Sequence, residues 1–401
     1  MQPRILFLLM SMVVLSPMAI DIYLASMPQM VIDLHASTSQ VQSTIALFFF
    51  AMGLGQIFVG PLADRYGRRP VVICGLFLYL LSSLAAAFVN DIWLMQGCRL
   101  LQGLAACAIS VVIFSVVRDR YNYARSSKIY SYLNGVLSVI PAFAPIFGSL
   151  LASYFGWRST FVFMFVYSLL VLLLIYRYLP ETLTLENTST AARLYDWQRY
   201  LSVLSSKCFV YYALCSMAAM AAILSYVSYA PVWLIDHLGL SATVFSLLFG
   251  MNACISIIIS FCAPILIARL GNRRVVKLAL ISMSIAALLL LVLALLFVLE
   301  GLLAGVAFML PVMFLSAGLS LLLGPATSMA LSEFADRAAT ASALLGFIQM
   351  VGASIVVMLI QQTSFTAPIA VAIVLLSLVV PLLLMMSFKY FAQWYMERSA
   401  G

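Results

Sequence analysis

The sequence predicts an all-α membrane protein: twelve transmembrane helices in two pseudo-symmetric six-helix halves around a central cavity. Three observations carry this. Of 401 residues, 65% are hydrophobic and only 8% charged, where a soluble domain carries about a quarter charged. Apolar runs long enough to cross a bilayer, about 20 residues each, fill nearly the whole chain. One polar segment, 180–207, divides the runs into two sets of similar length.

In chain order the spans fall near 5–29, 41–63, 70–89, 92–117, 127–151 and 158–179. After the linker 180–207 they resume at 208–233, 242–267, 275–299, 302–323, 339–360 and 367–388. The domains are then 1–179, the linker, and 208–401. Continuous apolar runs containing Gly and Pro favour helices over a barrel, whose strands alternate in segments of about ten residues. The first run has Arg4 before its apolar stretch, as a signal peptide would. It is too long for one and lacks a clear small-residue cleavage site, so it is read as an uncleaved span.

The net charge of +8 does not call for a nucleic-acid partner. With the N-terminus inside, all 21 Lys and Arg except Arg99 and Arg158 fall on the cytoplasmic side, the bias expected of a membrane protein. Both termini are then cytoplasmic. All seven cysteines lie within spans and none has a metal-ligand spacing, so no metal site is expected.

The halves carry traces of a repeat. Tyr23 to Asp33 reads YLASMPQMVID and Tyr226 to Asp236 reads YVSYAPVWLID, with Tyr, Pro, Ile and Asp in register. At nearly the same offset, Arg65-Tyr66-Gly67-Arg68-Arg69 aligns with Arg269-Leu270-Gly271-Asn272-Arg273. Related halves around a cavity are the architecture of many secondary transporters.

Of 13 acidic residues, Asp21 alone lies well inside a span, and Arg99 is the only base that does. Each costs about 2.5–3.5 kcal/mol at a bilayer centre, so neither should face lipid. At 1.5 Å per residue both sit roughly 10–14 Å below the external surface, level enough to face one aqueous pocket or each other. Desolvation favours the neutral acid and a nearby Arg the charged one, so the pair is suited to gaining and losing a proton. Leu224 stands at the repeat position of Asp21, which makes proton handling asymmetric. The alternative reading is a fixed ion pair that only locks spans one and four.

Gly60-Pro-Leu-Ala-Asp64-Arg65-Tyr-Gly67-Arg68-Arg-Pro70 resembles the signature loop between the second and third helices of the major facilitator superfamily. Asp21-Ile-Tyr-Leu-Ala-Ser-Met-Pro28 is similar to the first helix of its drug:proton antiporter branch, in particular the bicyclomycin and chloramphenicol resistance type. Gly67 permits a tight turn. Asp64 can neutralise neighbouring arginines or sit at a helix N-terminus. The resemblance implies that Asp64, Arg65 and Arg68 form a cytoplasmic latch against the other half, with Arg118 as a partner. It also implies that Arg99-Leu-Leu-Gln102-Gly103 is a proton-relay motif. Pro141-Ala-Phe-Ala-Pro145-Ile-Phe-Gly148 resembles the exporter signature of the fifth helix. Ala144 and Ser149 stand where that signature often has Gly.

The bundle interior offers mainly Met, Phe, Tyr and aliphatic surface, suited to amphipathic ligands. Ligand-contact candidates are Gln102, Tyr226, Tyr229 and the isolated amides Asn134, Asn252 and Gln349. The expected function is proton-coupled efflux of phenicol- or bicyclomycin-like drugs across a bacterial inner membrane, by a monomer. The expected energy source is the proton gradient and no cofactor, since no GxxxxGK[ST] motif occurs. The alternative is a dedicated transporter of one metabolite, such as a siderophore, amino acid or sugar. An enzyme is not expected: no HExxH or GxSxG occurs, and His35 and His237 lie at external loops.

Overall fold

The structure, a computed structural model, describes residues 3–121, 123–183, 197–297, 299–334 and 337–395. Among them are twelve helices long and apolar enough to cross a membrane. The chain divides into two compact units, Met1–Asp196 and Trp197–Gly401.

In the first unit, span one is built from three pieces: α1 Pro3–Val13, α2 Leu15–Asp21 and α3 Met27–Asp33. The breaks follow from proline chemistry. Pro17 and Pro28 have no N–H to offer the carbonyls of Val13 and Leu24. The helix gives way at Val14, and again at Ile22–Tyr23, where the chain tightens into a 3₁₀ turn at Leu24–Ser26.

The other first-unit spans are α4 Thr38–Tyr66, α5 Arg68–Phe88, α6 Ile92–Arg120, α7 Tyr123–Phe155 and α8 Arg158–Tyr178. Their starts are capped. Ser37 and Gln40 close a reciprocal capping box on α4, and Asp91 accepts from the N–H of Trp93 and Leu94 on α6. The capping box starts α4 ahead of the predicted 41, and at its other end the helix runs past 63 to Gly67. Gly67 has φ 99°, a conformation that side chains with a Cβ resist. Helix α6 packs against both α4 and α5.

The second unit begins with α9 Trp197–Leu204, a short helix within the predicted linker. The spans that follow are α10 Lys207–Pro231, α11 Ala242–Leu270, α12 Asn272–Leu296 and α13 Gly301–Leu331. Span eleven is α14 Ala338–Phe347, a π segment Ile348–Gly352 and α15 Ala353–Ile360; span twelve is α16 Ala367–Val374, a π segment Leu375–Val379 and α17 Val380–Ser387. Short 3₁₀ and helical turns, the last α18 Ala392–Tyr395, follow. Pro381 withdraws a donor from the Ser377 carbonyl, which places the wide turn of span twelve. Helix α13 packs against α10, α11 and α12.

Candidate functional site

The two intramembrane charges lie in the first unit, and the structure separates them. Asp21 closes α2 immediately before the Ile22–Tyr23 break and is 5% exposed. It makes no hydrogen bond or ion pair among the described residues. Arg99, on α6, is completely buried. The two do not pair, so the fixed ion-pair alternative does not describe this state.

A polar network from the first four spans holds Arg99 instead. Its Nη1 donates to Gln102 Oε1 at 2.6 Å and its Nε to the Thr44 carbonyl at 3.4 Å. The guanidinium lies 4.9 Å from the ring centre of Tyr23 and 4.8 Å from that of Phe48. Nη2 has no partner. Gln102 sits one turn along α6, on the same face, and its Nε2 donates to Ser83 Oγ at 2.8 Å. Ser83 in turn donates to the Tyr79 carbonyl at 2.7 Å, and the Tyr79 hydroxyl to the Leu15 carbonyl at 2.9 Å. Thr44 spends its proton on the Val41 carbonyl at 2.6 Å, so at 2.9 Å it is Tyr23 that donates to Thr44 Oγ1.

An isolated buried ion costs several kcal/mol. Charge-assisted hydrogen bonds contribute about 1.5–3 kcal/mol each, and desolvated cation–π contacts about 2. These contacts offset the cost of burying the guanidinium without a carboxylate.

Small residues bring the helices close around this centre. A Cβ on Gly103 would meet the Phe48 carbonyl, so α6 can rest on α4 at the level of Arg99. Gly148 is placed more pointedly: a Cβ there would collide with the Ile22 carbonyl. The exporter-like motif therefore presses its glycine onto the break that carries Asp21. Pro141 and Pro145 lie inside the continuous helix α7, about two turns and one turn before that contact.

In the signature loop, Asp64 takes the first of its two expected roles: it neutralises a neighbouring arginine and does not occupy a helix N-terminus. It lies in the last turn of α4, where a negative charge opposes the helix dipole, and Arg68 compensates it with an ion pair at 2.6 Å. Arg118 is not the partner of Asp64: it is exposed and lies 3.7 Å from Asp119. Asp119 instead accepts from Arg68 Nε at 2.9 Å. Arg68 thus stands buried between two carboxylates. Arg65 enters none of the loop's ion pairs, and no Cβ neighbour crowds Gly60.

The N-terminus of α5 is taken by Glu181, which the sequence reading did not single out. Its carboxylate accepts from the backbone N–H of Arg68 at 2.9 Å and of Arg69 at 3.1 Å. A Cβ on Gly67 would meet that carboxylate. Partial burial pushes the Glu181 carboxyl up, but the backbone donors of Leu183, Arg68, Arg69 and Thr182 outweigh it and hold it below the usual range.

The remaining candidates scatter. Tyr226 is buried in the second unit, stacked 5.7 Å from Phe249 and 6.3 Å from Phe308, with its hydroxyl 3.8 Å from Met309 sulfur. Tyr229 donates to the Ile360 carbonyl at 3.0 Å. These contacts all lie within that unit. Asn134 is exposed on α7, and Gln349 is half-buried in the π segment of span eleven. Asn252 is buried on α11 with its Oδ1 unpartnered. One turn further along, Ser320 donates to the Ser256 carbonyl at 3.3 Å. α11 and α13 each make the same step back, so Asn252 is level with Ser316, whose hydroxyl is also unpartnered. The described residues hold no cluster of metal-ligating side chains.

Twelve spans in two units, with one acid and one base buried deep within spans of the first unit among the described residues, define a polytopic membrane transporter. Residues 9–357 match the profile of the Major Facilitator Superfamily, and the chain belongs to that superfamily. It is 30% identical over 364 residues to "Multidrug resistance protein MdtL" of Salmonella paratyphi C, covering 88% of this chain and 86% of that one. The Escherichia coli O157:H7 protein of the same name is 29% identical over 384 residues, covering 96% and 95%. In fold the chain is similar to the crystal structure of a D-xylose-proton symporter, with TM-score 0.75, 16% identity and 97% of both chains covered.

Proposed function

We propose that this chain exports small amphipathic compounds, phenicol- or bicyclomycin-like drugs among them, in exchange for protons. The observation that carries the reading is Asp21: a buried carboxylate without a counter-ion, at a break in its helix, gripped by Gly148 of the exporter-like motif. A carboxyl so placed changes its proton readily when water reaches it or Arg99 moves. A drug binds while Asp21 is ionised, a proton from the far side neutralises it, and the drug leaves. Arg99 then favours loss of the proton to the cytoplasm. The relatives named for multidrug resistance support a broad drug range. The unpartnered Oδ1 of Asn252 can accept from a ligand hydroxyl, and the Ser316 hydroxyl can donate to a ligand carbonyl. The reading places the protein in a bacterial inner membrane with both termini cytoplasmic, working as a monomer on the proton gradient without a cofactor.

A dedicated metabolite transporter is the second reading, favoured by the fold likeness to a sugar symporter. Inverted vesicles holding the wild-type protein separate the two. Chloramphenicol, bicyclomycin and tetraphenylphosphonium are each added, and proton release from the vesicle lumen is followed by a pH dye. Release with chemically unrelated drugs supports efflux; release with a single sugar or amino acid and none of these drugs overturns it.

A further inference from the structure

Arg99 cannot shed its charge, and no carboxylate among the described residues pairs with it. Its stabilisers include the faces of Tyr23 and Phe48, and Tyr23 lies two residues after Asp21 on the same break. Tyr23 is itself fixed. It is fully buried, its hydroxyl donates to Thr44, and its ring packs 5.5 Å from that of Phe161 on α8. The cage therefore stays in place while the cation can move, and Arg99 Nη2 is a donor still without a partner.

We propose that Tyr23 is a positioning residue that competes with the Asp21 carboxylate for the Arg99 guanidinium, and so sets how readily Asp21 takes up a proton. This assignment rests on the proton-coupled reading above. With Asp21 protonated, Arg99 is left to the two rings, Gln102 and the Thr44 carbonyl, the arrangement seen here. With Asp21 ionised, the carboxylate offers the guanidinium a stronger partner. A weaker cage gives the carboxylate a larger share of Arg99, which keeps Asp21 charged and slows the protonation that releases the drug. The break serves the same purpose. It puts Tyr23, two residues past Asp21, in the turn that leads into the 3₁₀ segment Leu24–Ser26, with its ring against Arg99.

The test uses the full chain in inverted vesicles, with whichever of chloramphenicol, bicyclomycin and tetraphenylphosphonium binds most tightly. Binding and drug-driven proton release are measured for wild type, Tyr23→Leu, Tyr23→Phe and Phe48→Leu. Removing one ring face should slow proton release about tenfold in Tyr23→Leu and in Phe48→Leu, with drug affinity unchanged. Tyr23→Phe keeps the face and should stay near wild type. Should Tyr23→Leu fail to fold, Phe48→Leu carries the same prediction through the other ring. Wild-type proton release in the leucine variants would overturn the assignment. So would a Tyr23→Phe defect as deep as that of Tyr23→Leu, or a loss of binding in step with exchange. A wild-type protein that binds the drug yet releases no proton would overturn the proton-coupled reading itself, and this assignment with it.

Discussion

Spans one and seven carry matching sequence, Tyr23–Asp33 against Tyr226–Asp236, and put it to different uses. Span one is broken in two places and carries Asp21, and its Tyr23 reaches a buried arginine. Span seven runs unbroken from Lys207 to Pro231, carries Leu224 at the matching position, and its Tyr226 sits among Phe249, Phe308 and Met309. The same tyrosine is thus a polar anchor in one unit and core packing in the other. A helix keeps an unpaired acid only where its backbone is already interrupted and a neighbour is shaped to meet it. The fifth helix of each unit makes the point again. Gly148 of span five meets a backbone carbonyl of span one, while Gly352 of span eleven meets the side chain of Met217 on span seven.

The comparison breaks most directly if an acid can be moved across the repeat. Leu224 is 1% exposed in an apolar setting, so Leu224→Asp should cost about 2.5–3.5 kcal/mol and add no second coupled proton. Thermal unfolding in detergent and the proton-to-drug ratio check the two parts.

The glycine contacts come next. A carbonyl held in the break cannot retreat from a methyl group, so Gly148→Ala should lose about 3 kcal/mol, the upper end of overpacking costs. A methionine side chain can repack, and Gly352→Ala should lose under about 1 kcal/mol. Equal losses in paired melting curves would mean that the two contacts are alike after all.

The smallest effect is expected at the signature loops. Gly67 and Gly271 both have positive φ, but only Gly67 has a carboxylate against it, that of Glu181. A carboxyl held below its ordinary value stabilises the fold above its unfolded-state range, and that contribution fades as pH falls through the depressed folded value. Between pH 7 and pH 5 the loop should therefore be unchanged. Protection of the Arg68 and Arg69 amides should drop only below about pH 4, and Glu181→Gln should weaken it at every pH. Hydrogen exchange at those amides reads both.

Span count and the separation into two sets of helices were legible because each rests on a local property, run length or polarity. Asp21 and Arg99 stood out as costly charges because each stands alone in an apolar run. What they touch was not legible. Pro17 and Pro28 mark span one as weak but do not say that it unwinds at Ile22–Tyr23, and that turn decides that Tyr23 faces Arg99. Thr44, Phe48 and Ser83 are unremarkable letters in apolar runs. Glu181 lies far along the chain from Arg68, in a segment with no periodicity. Of the two readings left open for Asp64, the helix N-terminus fails because α4 runs one turn past its predicted end, so that Asp64 lies in a last turn and neutralises Arg68 instead.

The central claim is that Asp21 takes and gives the coupled proton. Asp21→Asn keeps the size and polarity of the side chain and removes only the titration. In inverted vesicles holding this variant, the account predicts drug binding at wild-type affinity and drug-driven proton release reduced to the level of empty vesicles. Proton release equal to that of the wild type would contradict it.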